Sequence, residues 1–165
     1  MVRAGVPEGL FQSLLTDGLI AADSALRSGL SREDLKEEFA RMGRVRNSRI
    51  VRAVIHHASE LSRSPYESFA RALIIEADFP WPIFFKAQFK ALPGITTALC
   101  INNAYLVDIV SAKALPHQRE RHQLLRKAGF TVLCYSPRQL VDHPDRFLAD
   151  LTATVSAGQK AARSA

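Results

Sequence analysis

The chain has 165 residues, a hydrophobic fraction of 47% and a formal net charge of +6. That length supports one domain with a real core, and the positive balance favours an acidic partner such as nucleic acid or an anionic surface. No apolar run approaches the roughly 18 residues that span a bilayer, and the N-terminus lacks the residue order of a secretory signal. The two cysteines, Cys100 and Cys134, have no neighbouring Cys/His pair, so they do not form a zinc site. Both lie in apolar, strand-like runs and are expected to be buried free thiols in a reducing cytoplasm.

The first segment is expected to be helical. Phe11, Leu14, Leu15 and Leu19 recur at helical spacing, an alanine-rich stretch follows through Ala21, Ala22 and Ala25, and Gly29 ends it. Ser31 opens a second helix with Asp34 at the capping-box position. Leu35, Phe39 and Met42 form its apolar stripe, and Gly43 breaks it. A third helix is predicted from Asn47 to Leu61, burying Val51, Val54, Ile55 and Ala58.

Ser64-Pro65-Tyr66-Glu67 is the strongest local signal. Ser64 caps, Pro65 suits the first helical position and Glu67 stands at the reciprocal capping position. The helix continues through Phe69, Ala72, Leu73 and Glu76. Pro80 and Pro82 then exclude helix across 78–82. Three strands follow, over 83–92, 95–101 and 104–110, joined by Pro93-Gly94 and by the tight turn Asn102-Asn103. A helix is predicted over 116–128, with Gly129 as its C-terminal cap. Residues 130–135 read as a short apolar strand buried on both faces. Ser136-Pro137 opens a helical turn, and 145–155 read as a last helix before a small, polar, disordered tail from Ser156.

These pieces, in this order, resemble a known family. Ser64-Pro65-Tyr66-Glu67-Ser68 with Arg71 is similar to its opening helix, and Pro80, Pro82 and Gln88 to its passage from helix to sheet. His117-Gln118-Arg119-Glu120-Arg121, followed by Leu124, Leu125, Ala128, Gly129 and Phe130, is similar to its basic helix. Val132-Leu133 and the region of Pro144 are similar to its closing strand and helix. Upstream, the resemblance reaches through Ala21-Ala22-Asp23-Ser24-Ala25-Leu26-Arg27. The family is the actinobacterial restriction-endonuclease-like, or PD-(D/E)XK, domain related to very-short-patch-repair endonucleases. The resemblance implies an α/β fold, with a small mixed sheet of about four strands flanked by helices and an N-terminal helical extension. The expected organisation is an extension over 1–62, a restriction-endonuclease-like core over 63–155 and a tail over 156–165.

The departures from the family concern its carboxylates. Its second strand usually carries an aspartate, and residues 97–101 here carry none. Its third strand usually carries an acid, a second acid two residues on, then glycine and histidine. Here those places begin with Asp108, Val110 and Ser111, and Asp108 is the sole acid between Phe79 and Arg119. Cleavage by such a fold needs Mg²⁺, which one or two carboxylates with water and phosphate can hold. Asp108 and Glu67 would supply two if the opening helix crosses the sheet as the resemblance implies. Lys113 or His117 would then orient water or neutralise charge. Against this stand plainer roles. Glu67 completes the Ser64 cap, Asp108 bonds a nearby backbone amide or pairs with Lys113 or an arginine, and His117 is a first-turn surface residue.

The basic residues point to phosphate. Arg41, Arg44, Arg46, Arg49 and Arg52 fall within twelve residues that contain no acid, and arginine pairs bidentately with phosphate oxygens. Arg119 and Arg121, with Arg126, Lys127 and Lys113, form a second set. Three readings therefore compete. The favoured one is a catalytically degenerate nuclease-fold module that binds DNA or a protein partner and takes no cofactor. The second is an active Mg²⁺-dependent endonuclease. The third is a structural or assembly protein that reuses the fold. No membrane partner is expected, and the location is expected to be cytoplasmic.

Overall fold

The structure, a computed structural model, describes residues 13–77, 79–80, 82–110 and 115–163. It is an α/β chain with seven helices and one four-stranded mixed sheet among the described residues. It divides into two compact units, one up to Ile75 and one from Glu76 onward. That division falls thirteen residues beyond the 62/63 boundary expected above, so most of the opening helix belongs to the first unit.

In the first unit the helices are α1 (Leu14–Arg27), α2 (Arg32–Arg41), α3 (Ser48–His57) and α4 (Pro65–Glu76). Each start has a local cause. Ser13 accepts from the Thr16 amide to cap α1, and the expected capping box at Ser31 and Asp34 is present on α2. At α4 the Ser64 hydroxyl accepts from the Glu67 amide. The Glu67 carboxylate reaches one residue further back than a capping box requires, accepting from the Arg63 amide at 2.8 Å. Ala22, Leu26, Val54 and Ala58 form the core here, with Leu15, Leu35 and Ile50 packed against it. Met42, expected on the apolar stripe of α2, is 59% exposed.

The third helix is shorter than predicted. It stops at His57, because Arg32 donates to the carbonyls of Ile55, His56 and Ala58 and so takes over the helix end. The chain then turns away, with the Ser59 amide donating to Asp23. Leu61, predicted to continue the helix, is largely exposed.

The crossing of α1 and α3 depends on Gly18. A Cβ at that position would meet Val54 Cγ2 at 2.6 Å, and valine is stiff at χ1. Alanine gains about 1 kcal/mol in helix propensity, yet overpacking a fitted contact costs about 1–3 kcal/mol. Gly18→Ala is therefore expected to lose about 1 kcal/mol net in urea denaturation followed by helical circular dichroism. A more stable variant would disprove the close approach.

In the second unit the strands are β1 (Phe85–Leu92), β2 (Ile95–Ile101), β3 (Tyr105–Ile109) and β4 (Thr131–Tyr135), and the helices are α5 (Leu115–Lys127), α6 (Pro137–Asp142) and α7 (Pro144–Arg163). The sheet order is β1-β2-β3-β4, antiparallel twice and then parallel. The parallel pair follows from α5, which supplies the crossover that a hairpin cannot. Asn102 and Asn103 both have positive φ, and the Ala104 amide donates to the Ile101 carbonyl across the turn. Asparagine tolerates that backbone region, as the mirror-image hairpin turns require.

Cys100, Leu106, Leu125 and Val132 form a core in this unit, with Phe89, Leu92, Ile95 and Phe130 against it. Three expectations change here. The first strand starts at Phe85 rather than at residue 83, and Phe84 is 74% exposed. The strand β4 lies at a sheet edge, and its apolar run is not buried on both faces, since Thr131 and Cys134 are exposed. Finally, α7 runs through Ser156 to Arg163, where a disordered tail was expected. Alanine-rich sequence favours helix, and contacts on the sheet side extend past Val155. Tyr105 Oη lies where a Cβ on Gly158 would fall, and it donates to the Val155 carbonyl at 3.5 Å.

Candidate functional site

The predicted site residues separate between the two units. Glu67 lies in the first, at the start of α4, bonded to the Arg63 amide. Asp108 lies in the second, on β3. Lys113 lies outside the described residues, as does the side chain of His117.

Asp108 is buried, with 5% exposure. Its position follows from strand alternation, which puts it on the face of Leu106 rather than of Val107. Both carboxylate oxygens are engaged. Arg121 donates through Nη1 to Oδ2 and through Nη2 to Oδ1 at 3.3 Å. His122 Nε2 lies 3.1 Å from the same Oδ2, a hydrogen bond in the tautomer with the proton on Nε2. Arg121 is itself held by the Gln118 side chain at 2.8 Å and by the Thr96 carbonyl. One aspartate, one arginine and one histidine thus close a network between β2, β3 and α5.

This network bears on the magnesium expectation. A divalent ion at Asp108 would have to displace the bidentate guanidinium, and no group of three or more His, Cys, Asp or Glu side chains among the described residues is placed to hold a metal. The donor set suits an internal ion pair better than a hard cation, which needs several oxygen ligands.

A cleft of about 540 Å³ opens beside the network, with Gln118, Arg119, His122, Cys134 and Gln139 in its wall. Arg119 is exposed. Cys134 pairs in register with Asp108 across the parallel strands. Desolvation pushes its thiol up, and the nearby Asp108 charge adds to this. A thiol pushed in that direction carries less thiolate at neutral pH.

The first unit carries the larger group of predicted binding residues. Arg41, Arg44, Arg46, Arg49 and Arg52 are all exposed. Arg41 pairs with Glu38 at 3.0 Å in an exposed contact of small energetic value. On α3, Arg49, Arg52 and His56 fall within a narrow arc at 100° per residue, while Val54 and Ile55 are buried. The helix therefore has a basic side, with Val54 packed opposite it and Ile55 at its margin.

Two features were not visible as sites in the sequence. His122 follows the basic motif by one residue, and nothing in its spacing marks it as the partner of Asp108. Asp23 and Arg71 stand 48 residues apart, yet their side chains meet at 2.6 Å with 0% and 5% side-chain exposure. Arg71 also donates to the Ser62 hydroxyl and to the His57 carbonyl. Burial pulls the Arg71 guanidinium below its ordinary value, and Asp23 opposes that.

No family model, curated protein or solved structure matches this chain. Among the described residues no helix is long and apolar enough to cross a membrane.

Proposed function

We propose that this protein is a restriction-endonuclease-like module that binds DNA through its first unit and no longer cuts it. The observation that carries the reading is the set of five exposed arginines within twelve acid-free residues, Arg41 to Arg52. Such a surface matches the phosphate backbone in charge and in hydrogen-bond geometry. The non-cleaving half of the reading is supported by Asp108, whose oxygens serve Arg121 and His122. Arg121 then acts in that network, and Arg119, Arg126 and Lys127 are exposed members of the second basic set. The compartment is the cytoplasm, where Cys100 and Cys134 remain free thiols.

Duplex DNA is expected to bind with a steep salt dependence. The double charge reversal Arg46→Glu/Arg49→Glu is expected to weaken binding at least tenfold. It should also flatten the slope of log affinity against log salt by about 2, since each phosphate contact contributes roughly 0.9. Fluorescence anisotropy across a salt series measures both. Binding that is unchanged by the reversal would refute this reading and favour an assembly role for the arginines.

A further inference from the structure

Between α2 and α3 lies a cleft of about 500 Å³, lined by Arg32, Lys36, Phe39, Arg52, Ile55 and His56. That size is within the range of small-ligand clefts, about 300–1,000 Å³. Its chemistry is uneven. The floor is apolar, from Phe39 and Ile55, and the rim is cationic.

Helix geometry explains the charge. At 100° per residue, Arg32, Lys36 and Phe39 of α2 fall within one narrow arc, while Asp34 and Glu38 fall on the opposite side. The four acids of α2 therefore do not cancel the cleft. Glu33 is the nearest, and it pairs with Lys36 at 2.8 Å in an exposed contact that a stronger anion can replace. Arg32 neutralises the carbonyls at the end of α3, which removes the negative potential a helix C-terminus would otherwise present. From the other wall, the Arg52 guanidinium lies over the Phe39 ring, 5.9 Å from its centroid. A guanidinium within cation–π reach of an aromatic ring offers a charge and a π face to a further planar π system.

We infer that this cleft takes one unpaired nucleobase of a single-stranded nucleic acid, stacked on the Arg52–Phe39 pair. Lys36 and Arg52 hold the flanking phosphates, and Arg49 extends the contact along α3. The inference rests on the nucleic-acid reading above and narrows it. A duplex keeps its bases stacked inside, so its backbone reaches the exposed arginines and leaves the apolar floor empty. An acidic peptide offers carboxylates to the same cations but no planar ring to the stack.

The test uses the whole protein and fluorescence anisotropy at one salt concentration. The probes are a twelve-residue thymidine strand, an abasic strand of equal length, a uridine strand and a twelve-pair duplex. The thymidine or uridine strand is expected to bind about tenfold tighter than the abasic one, as a stacked base provides. The tighter of the two identifies the polymer. Phe39→Leu keeps the apolar bulk and removes the ring. It is expected to bring base-bearing and abasic strands to equal affinity while duplex binding stays unchanged. Equal binding of the two strands by the unaltered protein overturns the inference and leaves the duplex-binding reading standing. Loss of duplex binding in Phe39→Leu also overturns it, because the ring would then serve the fold. Displacement of the thymidine strand by an oligoglutamate peptide at lower concentration assigns the cleft to acidic peptides instead. If neither strand nor duplex binds, this inference and the parent reading fall together.

Discussion

Arg71→Ala is expected to destabilise the first unit by about 3–5 kcal/mol, the cost of leaving one partner of a buried ion pair alone. Asp23 is fully buried and Arg71 is 4% exposed. Without the guanidinium, Asp23 keeps the Ser59 amide as donor but loses its counter-charge. Ser62 and the His57 carbonyl lose a donor as well. The effect should extend past one side chain, since these contacts tie α1, the end of α3 and the start of α4 together. Urea denaturation followed at 222 nm measures it. The double variant Asp23→Leu/Arg71→Met, which removes both charges, should recover much of the loss, as apolar replacements of buried pairs commonly do. A single-variant loss below about 1 kcal/mol would show that the pair is dispensable.

Asp108→Ala is expected to lower stability by about 2 kcal/mol without altering DNA cleavage. The figure is below that for Asp23–Arg71, because Arg121 is 22% exposed and water can reach it. Arg121 retains Gln118 and the Thr96 carbonyl, while His122 at 8% exposure loses its acceptor. Asp108→Asn should fall between, as it keeps an acceptor and drops the charge. Denaturation midpoints report the stability change, and nicking of supercoiled plasmid in Mg²⁺ or Mn²⁺ reports activity. An Asp108→Ala protein that is as stable as the parent, and that alone loses metal-dependent nicking, would establish the active-endonuclease reading and remove the one proposed here.

The chemistry of the candidate site was less legible than its residues. Asp108 stood out because it is the only acid in a long stretch, and its pairing with an arginine was among the roles that its surroundings allowed. Which arginine it meets depends on the crossover from β3 through α5 to β4. That crossover brings Arg121 and His122 over the strand, and no spacing rule gives it. The arginines of α3 were legible as a cluster, since charge and the absence of acids are properties of the string itself. Their separation from the packed side of α3 needed the helix to be formed and placed.

Sequence alone determined the elements whose causes are local. The box at Ser31 and Asp34, the Ser64 cap and the asparagine turn rest on groups within a few residues of one another, so the string contains their full explanation. Tertiary structure decided where α3 stops, that β4 lies at a sheet edge, how far α7 runs, and which partners Asp23 and Asp108 acquire. Those outcomes depend on burial and on partners between 13 and 48 residues away, and a buried charge takes its energy from whatever the fold places beside it.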